Sequence, residues 1–168
     1  MIRSATPGDA AAIAALYNEY VETSTVTFEE QSVTVEEMAE RIAAVLGKFG
    51  WLVYEVDGRV AGYCYATPWR ARSAYRFSVE TTVYVAPAHQ RRGVGRALYT
   101  ALIASLGTAG VRVLLAGIAL PNDASVLLHE ALGFEKVAHL KQVGRKFDRW
   151  IDVGYWERVL PSGPTVPG

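Results

Sequence analysis

The sequence predicts a mixed α/β fold in which one central β-sheet, antiparallel in its first half, is packed by helices on both faces. Strand and helix patterns follow the order β-α-α-β-β-β-α-β-α-β-β along the 168 residues, and this mixture is typical of a layered α/β domain. The pair Asp57-Gly58 lies between two apolar runs, which is a strong hairpin signal. Residues 111–119 are almost continuously apolar, as expected of a strand buried on both faces.

The composition is that of one ordinary globular domain, which we expect to span residues 1–160 and to be followed by a disordered tail at residues 161–168. Hydrophobic residues make up 51% and charged residues 20% of the chain. Lysine plus arginine and aspartate plus glutamate number 17 each, so no net charge draws the chain to nucleic acid or to membrane surfaces. The lack of a long apolar run and of a leader pattern predicts a soluble cytoplasmic protein.

Cysteine and histidine usage argues against a disulfide framework and a metal centre. Cys64 is the single cysteine, so neither an internal disulfide nor a paired-cysteine metal site can form. It lies in the apolar run 60–66, where we expect a small core residue. His89 and His139 have no carboxylate or cysteine partners at metal-ligand spacing. We therefore expect no metal.

The first third of the chain predicts a short strand and two helices. Residues 2–5 form the strand, and residues 6–9 open the first helix with a threonine cap, a proline and an acid in the positions they favour. Residues 34–37 form a capping box that opens the second helix. The polar stretch 22–28 between them either lines a site or is an ordinary connection. The expected buried residues are Ile13, Leu16, Tyr17 and Tyr20 in the first helix, and Val35, Met38, Ile42 and Val45 in the second.

The rest of the chain alternates strands with two further helices. One helix begins near Gly93 and runs to about residue 106, and the other begins at residues 121–123 and ends at Leu132-Gly133, with glycine just beyond its end. The expected strands of this part are 51–56, 59–67, 77–85, 111–119, 134–143 and 150–160.

Residues 80–102 carry the strongest functional signal. A strand leads to Gln90-Arg91-Arg92-Gly93-Val94-Gly95, and an apolar stripe at helical spacing follows. Small residues at a helix N-terminus leave backbone N–H groups free to point at an anion, which the helix dipole also favours. The run matches neither G-x-G-x-x-G nor G-x-x-x-x-G-K-[ST]. We expect a phosphate or pyrophosphate ligand; the alternative is a basic turn that caps a surface helix.

Two motifs resemble those of a known superfamily. Residues 90–95 resemble the [QR]-x-x-G-x-[GA] loop with which the GNAT N-acetyltransferases hold the pyrophosphate of acetyl-CoA. Residues 122–134, an asparagine-led helix that closes on Leu-Gly-Phe, resemble the second signature of that superfamily. The order of the predicted elements also matches the GNAT fold. The resemblance implies acetyl-CoA as the cosubstrate.

A closer resemblance covers residues 2–160. Several segments resemble the phosphinothricin N-acetyltransferases, among them 68–75 and 152–156, whereas residues 142–150 resemble the related methionine sulfoximine/sulfone acetyltransferases. This family acetylates the α-amino group of small glutamate-like amino acids and forms homodimers. The resemblance implies a small-molecule amino-acid substrate, a homodimer, and no nucleic-acid or membrane partner. The alternatives are an acetyltransferase for another small amine or for a protein or peptide amine, and a non-catalytic acetyl-CoA-binding module.

The resemblance also implies which residues bind acetyl-CoA. In the family, the strand equivalent to residues 83–85 separates from its neighbour, so its backbone pairs with the pantetheine amides and one N–H polarises the thioester carbonyl. Arg92 and Arg96 also suit plain surface charge, and spacing does not decide between the two roles. The pantetheine arm is expected to hydrogen-bond Asn122 and Ser125. The full set of expected ligands is Val83, Tyr84, Val85, Arg91, Arg92, Gly93, Val94, Gly95, Arg96, Asn122 and Ser125.

Glu80 and His129 are the catalytic candidates. A free amine with a pKa near ~10 is protonated at neutral pH and needs a base, and Glu80 matches the catalytic glutamate of the family. Its alternative role is to hold an arginine in the sheet. His129 stands where most GNAT enzymes carry a tyrosine that can protonate the departing thiolate, and an imidazole can also donate a proton. Its alternative role is to pack beside acetyl-CoA or to hydrogen-bond it.

The acceptor is expected to be an anionic amino acid. Arginine binds carboxylate-like groups through two parallel hydrogen bonds, and Arg72 and Tyr75 match the family most closely. Some phosphinothricin enzymes carry a histidine in the loop before the last strand, but residues 146–151 contain none, which makes Glu80 the principal base. Each acceptor candidate also suits an ordinary surface position. The candidates are Arg70, Arg72, Tyr75, Lys146 and Arg149, with Phe28 and Trp69 as walls of the side-chain pocket.

Overall fold

The computed structural model describes residues 1–161 of the chain. The strands are β1 Ile2–Ser4, β2 Trp51–Val56, β3 Arg59–Pro68, β4 Ser78–Val85, β5 Val113–Leu120, β6 Glu135–Lys146 and β7 Arg149–Val159. The α-helices are α1 Ala10–Thr23, α2 Val35–Leu46, α3 Val94–Thr108 and α4 Asp123–Ala131. Of the tail that the sequence predicts at residues 161–168, residues 162–168 lie outside the described part.

The strands of residues 1–161 form one seven-stranded sheet in the order β1-β2-β3-β4-β5-β7-β6. β4 and β5 run parallel, and the other neighbouring pairs run antiparallel. α1 and α2 pack on one face and α3 on the other. The predicted mixed α/β sheet, with an antiparallel first half and helices on both faces, is therefore confirmed. No helix of these residues has the length and apolar character needed to cross a bilayer.

One hydrophobic cluster lies between the sheet and α3. Leu98 and Leu102 of α3 pack there with Leu114 of β5 and Trp156 of β7, and all four are buried. Cys64 is fully buried in the same cluster, as predicted. Burial raises the pKa of its thiol, which suits a core residue and not a reactive thiolate.

A second cluster joins α1 and α2 to β2 and β3, and it contains most of the predicted buried stripe. Val35 is the exception: it is 44% exposed because it is the first residue of α2. The buried stripe of α2 begins one turn later, at Met38. Tyr20 is only partly buried, because its side chain extends from α1 to the end of β4.

The predicted helix starts are confirmed in one case and displaced in the other. At α2, the Glu37 N–H donates to Thr34 Oγ1 over 3.1 Å and the Thr34 N–H donates to Glu37 Oε2 over 2.9 Å, which is the predicted capping box. At the first helix, Pro7–Asp9 form a short 3₁₀ turn, and the α-helix begins at Ala10. There the carboxylate of Asp9 accepts from the Arg3 guanidinium and from the Thr6 N–H.

The β6–β7 hairpin is longer than predicted. Its strands extend to Lys146 and from Arg149, so Phe147 and Asp148 alone form the turn, with φ values of 50° and 56°. Two positive φ values are typical of a type I′ hairpin turn, for which the sequence signal is asparagine or glycine. Because neither residue is present, this short turn could not be predicted from the residues that form it.

Candidate active site

A cleft opens where β4 and β5 separate. The two strands pair in parallel from Ser78–Val113 to Glu80–Leu115, and beyond this point β4 pairs only with β3 and β5 only with β7. The resulting cleft has a volume of about 690 Å³ and is lined by β4, β5 and the first turns of α3 and α4. The separation of this strand from its neighbour, expected by resemblance, is therefore present.

The β4 edge of the cleft offers backbone hydrogen-bonding groups. On the β3 side, the Ala86 N–H donates to Ala61 O over 2.9 Å, and antiparallel pairing alternates along the strand. Tyr84 therefore directs its backbone groups to β3, whereas those of Val83 and Val85 face the cleft. The Val85 carbonyl already accepts the Tyr20 hydroxyl over 2.5 Å. The backbone of Val83 is thus the best placed for a ligand amide or carbonyl.

The arginine-glycine turn closes one end of the cleft. Arg91 and Gly93 have positive φ values of 59° and 81°, and Gly93 caps the N-terminus of α3. A Cβ at Gly95 would lie 3.2 Å from Leu128 Cδ2, so this glycine permits the close approach of α3 to α4. The turn directs the N-terminal backbone of α3 toward the cleft, as an anion site requires.

The arginines of this turn differ in position. All three of Arg91, Arg92 and Arg96 are exposed, but Arg91 and Arg96 line the cleft, whereas Arg92 lies outside its lining. The structure therefore favours Arg91 and Arg96 as phosphate ligands. The alternative of plain surface charge fits Arg92 better.

α4 brings Asn122, Ser125 and His129 to the opposite wall of the cleft. Asn122 is the N-cap, and its Oδ1 accepts the Ser125 N–H over 3.1 Å. The amide oxygen is thereby used within the helix, which leaves the Nδ2 group of Asn122 for a ligand, whereas the Ser125 hydroxyl also lies 3.3 Å from His129 Nδ1. The helix ends as predicted, with Gly133 at a φ of 79° just beyond it.

His129 is 3% exposed, and both of its ring nitrogens have protein partners. Nδ1 lies 2.7 Å from the carbonyl oxygen of Ser125, and Nε2 lies 3.0 Å from the Tyr99 hydroxyl. Because a carbonyl only accepts, Nδ1 carries the proton and Nε2 accepts from Tyr99. Burial lowers the pKa of His129, so the ring is neutral at physiological pH. This arrangement favours the packing role over that of a proton donor.

Glu80 lies on the face of β4 opposite to the α3 cluster, at the point where the strands separate. Burial raises the pKa of its carboxyl group, and the nearby Arg70 partly offsets this. Among residues 1–161, the ion pairs do not include Glu80, which argues against the alternative role of holding an arginine. A half-buried carboxylate with a raised pKa is suited to general-base chemistry.

The register of the sheet places a row of further residues on the same face as Glu80. Glu80 pairs with Leu115, and two residues further along β5, Gly117 pairs with Tyr155 of β7. In β6, Gly144 pairs with Ile151, and Lys146 lies two residues beyond Gly144. Because alternate residues of a strand share a face, this row forms the floor of a chamber that runs from β4 to β6.

The loop between α1 and α2 covers the β6 end of this chamber. Tyr17 Oη lies 2.7 Å from Thr27 Oγ1, and Lys146 Nζ donates to Thr27 O over 3.0 Å. The ring of Phe28 lies where a Cβ of Gly144 would be. Val26 of the same loop lines the cleft. Of the two interpretations of the polar stretch 22–28, the site-lining one is therefore favoured.

Lys146 is 2% exposed, so its ammonium is covered. Thr27 O is its hydrogen-bond acceptor, and the Phe147 ring lies 5.0 Å from Nζ. Desolvation lowers the pKa of this lysine. The ammonium thus holds the loop that covers the chamber. It could bind a substrate as well only through the N–H groups that do not donate to Thr27 O.

The remaining predicted acceptor residues are only partly brought together. The Arg70 guanidinium lies 4.8 Å above the Trp69 ring, and Trp69 packs edge-on against Tyr155 with centroids 5.5 Å apart. Arg72 and Tyr75 are exposed on the same loop, and Arg149 is exposed at the start of β7. Phe28 lies against Gly144 of β6 and Trp69 against Tyr155 of the neighbouring strand β7.

The sequence of residues 2–154 matches the protein-family model of the acetyltransferase (GNAT) domain. These residues include the cleft, the arginine-glycine turn and Glu80. The chain belongs to the GNAT acetyltransferase family. It is therefore an acyltransferase, and the cleft, with its cationic turn, free backbone edge and volume, suits acetyl-CoA as the cosubstrate.

Relatives and solved structures agree with this assignment. Over 165 residues the acetyltransferase is 47% identical to a phosphinothricin N-acetyltransferase of Streptomyces viridochromogenes, covering 97% of this chain and 90% of the relative. It is 40% identical over 160 residues to an L-methionine sulfoximine/L-methionine sulfone acetyltransferase of Salmonella typhimurium, covering 95% and 94%. A phosphinothricin acetyltransferase from Sinorhizobium meliloti in complex with acetyl-CoA superposes with a TM-score of 0.93 at 34% identity, covering 99% and 91%.

Sequence reasoning missed four residues of the acetyltransferase site: Tyr20, Tyr99, Gly117 and Tyr155. Tyr99 is part of the α3 stripe and reads as a core residue. Gly117 and Tyr155 become neighbours of Glu80 only through the pairing of β5 with both β4 and β7. The strand alternation of Tyr155 could have indicated its face, but not its partner strand.

Proposed function

We propose that this acetyltransferase acetylates the α-amino group of a small glutamate-like amino acid, with phosphinothricin, methionine sulfoximine and methionine sulfone as the acceptors to test. The observation that carries the proposal is the carboxylate of Glu80, which lies where β4 and β5 separate, has Arg70 nearby, and takes part in no ion pair of residues 1–161. The names of the relatives support the same acceptor class.

In the proposed mechanism the amine attacks the thioester directly. Glu80, whose raised pKa makes it a stronger base than an exposed glutamate, takes a proton from the acceptor ammonium, directly or through one water. The freed amine nitrogen then forms a bond to the thioester carbon, and the backbone N–H of Val83 stabilises the developing oxyanion. The carbon–sulfur bond breaks, the proton that the nitrogen loses as it becomes an amide passes to the thiolate, which leaves as free CoA, and Glu80 releases the first proton to solvent.

The roles of His129 and the cationic side chains follow from their surroundings. We infer that His129 holds α4 and Tyr99 against the cleft, because both ring nitrogens are engaged. Arg70, Arg72 and Tyr75 are the proposed ligands of the acceptor carboxylate and of its phosphinate, sulfoximine or sulfone group. Lys146 adds positive charge from the chamber floor. An amino acid with a carboxylate and a second polar, oxygen-bearing group fits this arrangement better than an amine without a carboxylate.

A protein or peptide acceptor fits the chamber less well. The Thr27 and Phe28 loop covers the chamber over Gly144, and Lys146 ties that loop to β6. A peptide needs a groove that is open at both ends, whereas a small amino acid does not. The same cover leaves room for other small amines, which belong in the substrate test.

The decisive measurement is thiol release from acetyl-CoA in the presence of separate acceptors. The panel contains phosphinothricin, methionine sulfoximine, methionine sulfone, glutamate, a polyamine and a short peptide. We expect turnover with at least one of the first three and little with the last two. The proposal would be overturned if none of the first three acceptors is acetylated. If none of the six acceptors gives thiol release, the result would favour the non-catalytic acetyl-CoA-binding module.

We also propose that the protein forms a homodimer and works in the cytoplasm, where acetyl-CoA is available. β6 is an edge strand of the sheet, and Val137, Leu140 and Val143 on it and Trp150 on β7 are 41–63% exposed. An apolar edge strand is a ready interface for a second copy. Sedimentation should give about twice the 18.3 kDa chain mass.

The matched variant for this test is Leu140→Lys combined with Val143→Lys. We expect it to sediment as a monomer with an unchanged circular dichroism spectrum, whereas Leu127→Lys, at an exposed position on α4, should leave the oligomer intact. A monomeric natural protein at micromolar concentration would contradict the proposal.

A further inference from the structure

Tyr155 and Glu80 flank one empty space above Gly117. If Gly117 carried a Cβ, that atom would lie 3.2 Å from Glu80 Oε1 and 3.2 Å from Tyr155 Cε1. A Cβ at this position would be in tight contact with both the carboxylate and the ring, so glycine leaves the space beside them open. Gly117 has no positive φ. What glycine contributes at this position is therefore the absence of a side chain and not a special backbone conformation.

The Tyr155 ring also packs against the loop that follows β3. Trp69 packs edge-on against it, with the ring planes at 76° and the centroids 5.5 Å apart. The Arg70 guanidinium lies 4.8 Å above Trp69, so a loop residue and its cation fix the aromatic pair. Edge-to-face pairs of this kind add stability beyond the area they bury. The ring is thus a fixed wall and not a mobile surface side chain.

A fixed wall beside a carboxylate has two physical effects. It removes side-chain rotamers that would point the carboxylate away from the cleft, and it keeps water from one side of the group. Arg70 is the charged group that acts on the pKa of Glu80. Burial raises the pKa values of Tyr155, Tyr65 and Tyr99, and the Glu80 carboxylate adds to this. These tyrosines are uncharged, so the aromatic side chains around Glu80 act on it mainly by excluding water.

We propose that Tyr155 is a positioning residue for Glu80: its ring, braced by Trp69 and facing the open position of Gly117, holds the carboxylate at the end of the β4–β5 pairing. This inference rests on the proposed function of Glu80 as the base. Tyr155 does not exchange a proton with the acceptor. It acts by limiting where the carboxylate can be and how much water reaches it.

The test compares Tyr155→Ala, Tyr155→Phe and the control Val159→Ala, an exposed position at the far end of the same strand. Thiol release is measured between pH 5 and 9 with the best acceptor of the panel. We expect Tyr155→Ala to lower kcat about 10- to 100-fold, as misplacement of a catalytic group does. The acid limb of its kcat profile should move to lower pH, because a hydrated Glu80 has a lower pKa. Tyr155→Phe keeps the ring and should restore most of kcat.

Gly117→Ala keeps the ring and supplies an independent check if Tyr155→Ala fails to fold. Its Cβ would displace the Glu80 carboxylate, so we expect a loss of kcat larger than any change in the KM for acetyl-CoA. An unchanged kcat with an unchanged pH profile in a folded Tyr155→Ala enzyme, or in Gly117→Ala where Tyr155→Ala does not fold, would overturn the inference.

Glu80→Gln separates this inference from the function on which it rests. An active Glu80→Gln enzyme would remove Glu80 as the base, and the positioning role of Tyr155 would go with it. An inactive Glu80→Gln enzyme together with a fully active Tyr155→Ala enzyme would leave the proposed function intact and overturn the role of Tyr155 alone.

Discussion

Single residues decide which of the expected roles the site supports. Glu80 is half-buried and outside the ion pairs of residues 1–161, whereas His129 is buried with both ring nitrogens bonded. The sequence already makes Glu80 the principal base, but it leaves both the catalytic and the packing role open for His129. The difference comes from Ser125 and Tyr99, the partners that surround His129 in the fold.

Replacing Glu80 by glutamine tests the base directly. The amide keeps the size of the side chain but cannot accept a proton, so we expect kcat to fall roughly 10²- to 10⁴-fold. The remaining activity should rise only at high pH, where the acceptor amine is already free. Steady-state rates from pH 6 to 10 check this, with acetyl-CoA binding by calorimetry as the folding control. An unchanged kcat with the natural pH profile would remove Glu80 from the role.

Tyr20 supplies a second residue-level test, at the donor side. Its hydroxyl donates to Val85 O over 2.5 Å and lies 2.8 Å from Gln90 Nε2, the donor of that second bond. It thereby ties the end of β4 to the residue that precedes the arginines. We expect Tyr20→Phe to raise the KM for acetyl-CoA about three- to tenfold, the effect of one lost hydrogen bond, and to leave the acceptor KM unchanged. Tyr54→Phe, on β2 outside the cleft, is the control; equal KM values in both variants would contradict the role.

At the scale of elements, the sequence predicts helix caps and tight turns whose geometry depends on a few neighbouring residues. The capping box at Thr34 and the Asp57-Gly58 turn lie within a few residues, and both are present with the expected geometry. The turn at Phe147-Asp148 has positive φ values without the usual residues, so the sequence could not place it. Its geometry is a consequence of the pairing of two long strands, which no short window contains.

The junction of β1 and α1 gives a prediction about stability. The Arg3 guanidinium and the Thr6 N–H hold the pKa of Asp9 at about 2, below its ordinary value near ~3.9. A carboxylate with a lowered pKa stabilises the fold above its unfolded-state pKa, and this contribution is lost as the pH falls from about 4 to about 2. We expect the loss to be about 2 kcal/mol. Denaturant unfolding between pH 6 and 2 measures it.

Asp9→Asn should remove that pH dependence. The variant should be less stable than the natural protein at pH 6 and nearly equal to it at pH 2. Glu40→Gln, at an exposed position on α2, should follow the natural protein throughout. Parallel stability curves for Asp9→Asn and the natural protein would show that the Asp9 pairing contributes nothing to the fold.

At the scale of the whole molecule, the sequence predicts more of the acetyl-CoA side of the site than of the acceptor side. The donor side uses two local segments, one from β4 through the arginine-glycine turn to α3 and one at the start of α4, and the motif of each can be recognised without the fold. The acceptor side takes Glu80, Gly117 and Tyr155 from three strands and Thr27 from a loop. Their proximity depends on sheet order and register, which are set by packing of the entire chain.

The short β4–β5 pairing has a consequence for the motions of the molecule. The β1–β4 half of the sheet pairs with the β5–β7 half only over Ser78–Glu80 and Val113–Leu115. We therefore expect small motions of the two halves relative to each other about this hinge. A ligand bound in the cleft would contact both halves and restrain their relative motion. In hydrogen–deuterium exchange, we expect acetyl-CoA to slow exchange at the amides of Val83 and of β5 residues beyond Leu115, while amides of β2 stay unchanged. Equal exchange with and without acetyl-CoA would mean that the hinge is already rigid in the free enzyme.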